Sequence, residues 1–153
     1  MRITADDLTH PDVVKLLEHH VRHMAEHSPE GSSYALDLGA LRTPDMTVWT
    51  LWDKNTLGGC VAMKALSPKW GEIKSMRTAP SFEGRGVGRA LLAHIIETAR
   101  ARGYSKLSLE TGTTPAFYPA LNLYARNGFV LGNPFGDYAP SRFNIFMHLD
   151  LGG

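Results

Sequence analysis

The sequence predicts an α/β fold, a single mixed β-sheet flanked by helices, and three observations carry that reading. A strand-like run from Gly71 to Thr78 is followed by a glycine-rich loop and an amphipathic helix beginning at Val87, after which Tyr104 to Glu110 is strand-like again. Strand, helix, strand in that order implies a right-handed parallel crossover. Two β-rich runs joined by Asp53-Lys54-Asn55 precede it as a hairpin, and two more follow it, so antiparallel strands are expected on both sides of the parallel pair.

Taken in order, Met1 to Ile3 alternates briefly and reads as an edge strand. Thr9 is the expected N-cap of a first helix from Pro11 to Glu26, because proline suits a first turn and Val13, Leu17, Val21 and Met24 recur at helical spacing. His19, His23 and His27 lie four apart and would share one face; with no carboxylate or cysteine completing a metal site, a solvated face is expected. Ser28 to Pro44 is rich in turn formers and holds a brief helix around Leu36 to Leu41. The hairpin arms are Thr47 to Trp52 and Thr56 to Leu66, and Gly58 and Gly59 in the second arm signal a bulge or a close backbone approach. In the helix from Val87, the residues Leu91, Leu92, Ile95, Ile96 and Ala99 continue the apolar face, and Gly103 stops it. A last helix, Ala116 to Arg126, precedes a closing strand pair, Phe129 to Leu131 with Phe143 to Leu149, around the turn-rich stretch from Gly132 to Arg142.

At 153 residues one domain over 1–153 is expected, long enough to bury its own core. A net charge of +1 argues against a nucleic-acid or membrane surface, where a strongly basic face is the rule. The single cysteine, Cys60, sits in an apolar run and reads as a buried structural thiol; it leaves no intrachain disulfide, which fits a reducing compartment. No apolar run is long enough to span a bilayer, so a cytoplasmic location is expected.

The loop carries the chemistry. A helix N-terminus presents backbone N–H groups without intrahelical partners together with the positive end of the helix dipole. Glycines before it accept positive φ and put no side chain between backbone and anion. Gly84, Arg85, Gly86, Val87, Gly88 and Arg89 therefore read as a pyrophosphate cradle, with the two arginines adding formal charge; the plainer alternative is an ordinary glycine-rich connection.

With Pro80, the stretch Glu83-Gly84-Arg85-Gly86-Val87-Gly88, and Leu123-Tyr124 followed by Gly128-Phe129, the chain resembles the GNAT family of N-acetyltransferases over nearly its whole length. The resemblance implies the GNAT fold, acetyl-CoA as co-substrate and an acetyl transfer to an amine of a small molecule or peptide by direct attack. It also implies that the pantetheine arm pairs with backbone at Met76, Arg77 and Thr78, where a bulge would aim an N–H at the thioester carbonyl. Tyr124 matches the family's acid for the departing thiolate, with packing of helix on sheet as its alternative role. Glu72 is the base by analogy, with simple exposure at a strand end as the alternative, and Glu110 is a second candidate. Glu83 and Phe117 depart from the family's usual Gln or Arg and Asn.

Acceptor selection in the family implies the segments 28–41 and 133–143; Arg42, Arg142 and Tyr34 are then candidates to meet a carboxylate-bearing acceptor, with simple exposure of the arginines as the alternative, and Tyr34 and Tyr138 equally suit packing on each other. The family also implies a homodimer as one possible assembly, although no residue here requires it. Two rivals remain. A dinucleotide-binding unit is opposed by glycines spaced two apart rather than as G-x-G-x-x-G. A non-catalytic acyl-CoA-binding regulator on the same fold predicts saturable CoA binding without thiol release.

Overall fold

The computed structural model describes residues 1–26 and 38–152. In chain order these form β1 (Arg2–Asp6), α1 (Pro11–Glu26), the one-turn α2 (Leu38–Leu41), β2 (Met46–Asp53), β3 (Thr56–Ser67), β4 (Trp70–Thr78), α3 (Val87–Ala101), β5 (Lys106–Gly112), α4 (Tyr118–Arg126), β6 (Val130–Leu131) and β7 (Asn144–Asp150). The strands make one seven-stranded sheet in the order β1-β2-β3-β4-β5-β7-β6. Only β4 and β5 run parallel, across the α3 crossover, so the expected mixed sheet flanked by helices is what forms.

Period-two alternation sends successive side chains of each strand to opposite faces, and the two faces are covered differently. On one side Val87, Leu91, Leu92, Ile95 and Ala99 of α3, with Tyr124 of α4, bury against Trp49, Leu51, Val61, Met63, Ile73, Leu107 and Leu109. On the other, Val13, Leu16 and Leu17 of α1 pack on Val48, Trp52, Leu57, Cys60 and Ala62.

Local details depart from the sequence reading for identifiable reasons. α1 begins at Pro11 as expected, but His10 is its cap rather than Thr9: the His10 carbonyl accepts from the Val13 and Val14 N–H groups at 3.1 and 3.2 Å, and its Nδ1 accepts from the Asp12 N–H at 3.1 Å. Thr9 is instead spent in a turn, donating its N–H and hydroxyl to Asp7 Oδ1. β5 starts at Lys106, because Tyr104 still hydrogen-bonds back to the Ala99 carbonyl and its ring lies where a Cβ on Gly71 would be, 2.8 Å away. α4 starts two residues late, after a 3-10 turn over Pro115–Phe117.

The two glycines of β3 behave as anticipated. The β2–β3 register shifts opposite Leu51 and Trp52, leaving Gly58 as the extra residue of a bulge. A Cβ on Gly59 would lie 2.7 Å from Val87 Cγ1 and 2.8 Å from the Arg77 carbonyl oxygen. Backbone cannot yield as a side-chain tip can, so Gly59→Ala is expected to cost roughly 2 kcal/mol, as overpacking does. Denaturant unfolding checks this, and an unchanged midpoint would show that the space between β3 and α3 is slack.

The sheet is not continuous at its centre. β4 and β5 pair only at Trp70 with Lys106, Gly71 with Leu107 and Glu72 with Ser108; beyond these three positions no pairing joins them. β4 also carries a bulge, since Met76 opposes Val61 while Ile73 opposes Met63, which places one extra residue at Lys74–Ser75. The expected bulge at Met76 to Thr78 thus lies just before that stretch.

Candidate active site

Above the opened strands the chain turns from β4 into α3 through two left-handed glycines. Gly84 has φ +78° and Gly86, the residue capping α3, has φ +81°. L side chains are strained there, and a Cβ at either position would meet nothing within 4 Å, so open space lies over the start of the helix. The N–H groups of Val87, Gly88 and Arg89 open α3, while the Gly86 carbonyl already accepts from the Ala90 N–H at 3.0 Å. Gly88 has a further reason to be glycine, because its missing Cβ would sit 3.2 Å from Leu123 Cδ2 and lets α4 approach α3.

Arg85 does not lean over the glycines. Its Nη2 donates to Asp53 Oδ2 at 3.2 Å and its guanidinium stacks 4.3 Å from the Phe82 ring centre, towards the β2–β3 turn. Arg89 is exposed on the first turn of α3. What this turn presents is therefore backbone and open space rather than the Arg85 guanidinium.

The unpaired flank of β4 supplies the second part. The Ala79 N–H donates to the Gly58 carbonyl at 2.8 Å, so in this antiparallel ladder Ala79 and Arg77 point their backbone groups at β3. Met76 and Thr78 then point theirs the other way, to the side that β5 leaves open. Of the three residues expected to pair with an extended arm, two face the opening; the Arg77 side chain instead reaches His19 Nε2 of α1 at 3.1 Å. His19 thus has a partner in the fold, while the His23 side chain and His27 lie outside the described residues, as does Tyr34.

A polar group crosses the sheet face opposite α3. Glu72 is 3% exposed, buried rather than a surface carboxylate. Its Oε2 accepts from the Tyr138 hydroxyl at 2.5 Å and lies 3.4 Å from Lys74 Nζ, which itself donates to Tyr138 Oη at 2.7 Å. One pleat further along β5, Glu110 Oε2 accepts from Asn144 Nδ2 at 3.2 Å. Burial holds the Glu110 carboxyl above its ordinary pKa, opposed by the Asn144 hydrogen bond and by Lys74 and reinforced by the Glu72 charge. Tyr138 is pushed further in the same direction by burial and by its hydrogen bond to Glu72.

The segment 132–143 lies over this group. Phe135 packs on Trp70, Tyr138, Phe146 and His148 with ring centres 5.4 to 5.8 Å apart. At its base Trp70 Nε1 donates to Ser108 Oγ at 2.8 Å, Ser108 Oγ lies 2.6 Å from His148 Nδ1, and His148 Nε2 is 2.8 Å from the Asn133 carbonyl. A carbonyl only accepts, so Nε2 donates there, and Nδ1 of a neutral ring accepts from the serine. Lys74, Ser108, Asn144 and His148 escaped the sequence reading. The available signal was the alternation Glu72-Ile73-Lys74 and Ser108-Leu109-Glu110, which marks one polar face on two strands that elsewhere read as core.

Tyr124 is 7% exposed, its ring 5.7 Å from Phe129. Burial alone raises its phenol to about 12, so it keeps its proton through the neutral range. Cys60 is buried and its thiol is likewise pushed up to about 12 by desolvation, which makes it a structural thiol. Arg42 donates to the Leu8 carbonyl at 2.9 Å beneath α1, and Arg142 stacks 4.9 Å over Phe143 at the edge of the 132–143 segment.

The sequence model of the acetyltransferase (GNAT) family matches residues 13–129. The uncharacterized N-acetyltransferase YsnE of Bacillus subtilis is 46% identical over 147 residues, spanning 96% of this chain and 97% of YsnE. Among solved structures, a candidate acyl-CoA N-acyltransferase of Klebsiella pneumoniae superposes with a TM-score of 0.82 at 27% identity, covering 98% of this chain and 97% of the other. A GNAT family acetyltransferase of Elizabethkingia anophelis with acetyl-CoA bound shares the fold, with a TM-score of 0.71 at 20% identity and 97% of each chain covered.

Proposed function

Because this chain belongs to the GNAT acetyltransferase family and is an acetyl-CoA-dependent N-acetyltransferase, we propose that the glycine turn at Gly84 and Gly86 and the open flank of β4 are where the coenzyme binds. The single observation that carries this is the juxtaposition of two left-handed glycines with clear space above them and a strand whose Met76 and Thr78 backbone groups, among the described residues, have no neighbouring strand. The N–H groups of Val87, Gly88 and Arg89 hold the diphosphate, helped by the helix dipole and the Arg89 charge. Met76 and Thr78 hydrogen-bond the extended pantetheine arm as a strand would, next to the Lys74–Ser75 bulge.

The acetyl thioester supplies the electrophile. An acceptor amine reaching it from the side of the 132–143 segment comes to the sheet face that carries Glu72 and Glu110, and a carboxylate there relieves the ammonium of its proton. Tyr124 donates to the sulfur as the thiolate departs. The acceptor is an amine whose identity the 132–143 segment helps to set through Tyr138 and, at the rim, Arg142. Residues 28–41, of which Leu38–Leu41 are described, are the other selecting segment by family analogy. We read residues 1–153 as one domain acting in the cytoplasm, supported by its length and its lone buried thiol, with a homodimer as one assembly that its family allows; no described helix is long and apolar enough to cross a membrane.

Thermal shift with acetyl-CoA and with NADH, followed by a thiol-release assay over a panel of amino acids, polyamines and lysine peptides, tests the reading. Stabilisation by acetyl-CoA and CoA release with at least one amine are expected. Stabilisation by NADH alone, or saturable acetyl-CoA binding with no release for any amine, overturns it.

A further inference from the structure

Two carboxylates face the opening between β4 and β5, and their surroundings differ. Glu72 is sealed: one oxygen holds the Tyr138 hydroxyl, the Lys74 ammonium stands beside it, and almost none of the residue is exposed. A base in that state has its charge balanced and no path by which an incoming amine reaches it. Glu110 lies two residues past the last β4–β5 pair, where the strands have parted, and is partly exposed. Its partner is the neutral amide of Asn144, and among the described residues no cationic side chain lies within ion-pair distance of it. Asn144 is itself fixed, for its Oδ1 accepts from the Ser141 N–H at 2.9 Å and its Nδ2 also donates to the Ala139 carbonyl at 3.1 Å.

We infer that Glu110, aimed by Asn144, is the group that takes the proton from the acceptor amine, and that Glu72 is a positioning residue which fastens the 132–143 segment through Tyr138. This rests on the transferase reading above and divides the labour between the two carboxylates. In the step, Glu110 accepts one proton from the ammonium; the freed nitrogen lone pair forms the C–N bond to the thioester carbonyl carbon and the C–S bond breaks. The second nitrogen proton passes to the sulfur by way of Tyr124, so that amide and free thiol leave and Glu110 returns its proton to solvent.

The sign of the pH dependence follows. The base works when ionised, and the groups facing Glu110 are Glu72 and Lys74 from β4, Asn144 from β7 and Tyr138 from the segment between β6 and β7. Burial and the Glu72 charge outweigh Lys74 and Asn144, so activity rises with pH along a limb lying above the ordinary carboxylate range. Removing the Asn144 donor moves that limb to higher pH.

The test compares Glu110→Gln, Glu72→Gln and Asn144→Ala, using the amine that the wild-type protein turns over fastest in the panel above. Glu110→Gln is expected to lower kcat/KM for the amine about 100-fold at pH 7 and to abolish the acidic limb, with acetyl-CoA affinity unchanged. Glu72→Gln keeps a limb, moved towards lower pH by the loss of the Glu72 charge, and raises KM for the amine, and Asn144→Ala shifts the limb upward. A limb that survives Glu110→Gln, or one lost in Glu72→Gln, overturns the assignment. A readout without turnover separates this from the transferase reading: with carboxyl-labelled glutamate, the side-chain signal titrating above the ordinary range is expected in the wild type and in Glu72→Gln and to be absent from Glu110→Gln. If that signal belongs to Glu72, the inference fails even where transfer is observed; if no amine releases CoA, it is the transferase reading that fails.

Discussion

Gly86→Val is expected to weaken acetyl-CoA binding about 100-fold. The substitution forces a β-branched residue into φ +81°, which costs roughly 1–2 kcal/mol for an L side chain. It also places methyl groups in the clear space above the first turn of α3, where the diphosphate is proposed to lie, at the expense of at least one charge-assisted hydrogen bond worth about 1.5–3 kcal/mol. The strain is carried by free and bound protein alike and shows in stability, whereas the upper end of the hydrogen-bond loss, about 3 kcal/mol, corresponds to two decades in Kd. Because a Cβ at Gly86 touches nothing in the protein, the loss should appear mainly in calorimetric titration with the coenzyme. Gly103→Val is the control: that glycine sits at the other end of α3 with φ +82° and equally open surroundings, so it carries similar strain and should leave Kd alone. Equal affinity in Gly86→Val and wild type would mean that the phosphates bind elsewhere.

Tyr124→Phe should lower kcat by about 100-fold with the dissociation constant for acetyl-CoA preserved, the signature of an interaction used only on the way to the transition state. The ring keeps its packing on Phe129, so the fold should tolerate the change. A phenol raised to about 12 is a weaker acid than a free thiol, whose ordinary pKa is about 8.5, so Tyr124 does not simply discharge its proton onto a resting thiolate. In the proposed mechanism it donates a hydrogen bond to sulfur as negative charge develops and hands the proton over while receiving another from the attacking nitrogen. Single-turnover measurements separate this step from binding, and undiminished turnover would leave Tyr124 with the packing role alone.

The parts of this molecule that repeat a local rule were legible in the sequence. α1 from Pro11 to Glu26 and α3 from Val87 followed from apolar spacing and a proline or glycine at the start, and the pairing of Gly58 and Gly59 with a bulge and a tight contact followed from glycine's lack of a side chain. What depended on partners distant in the chain was not legible. Glu72 looks like a charged strand end until Tyr138, 66 residues later, closes over it. Arg85 looks like a phosphate ligand until Asp53 is brought beside it. The family resemblance pointed to the cradle, to Tyr124 and to Glu72 alike, because a motif reports position and not the company a side chain keeps.

The notch between β4 and β5 gives this sheet a rim in its interior. Unsatisfied strand backbone is what lets one polypeptide recruit another, and proteins ordinarily confine that hazard to their outermost strands. Here the same peptide groups that suit a coenzyme's amide chain are equally suited to a foreign β-segment, so capture of the coenzyme and resistance to aggregation compete for the same few residues. The extra residue at Lys74–Ser75 breaks the regular repeat that an intruding strand would need, while a slender pantetheine, for which only Met76 and Thr78 are proposed as partners, is indifferent to it. An irregularity that reads as a flaw in the strand thereby acts as a filter between a small flexible guest and a misfolded neighbour.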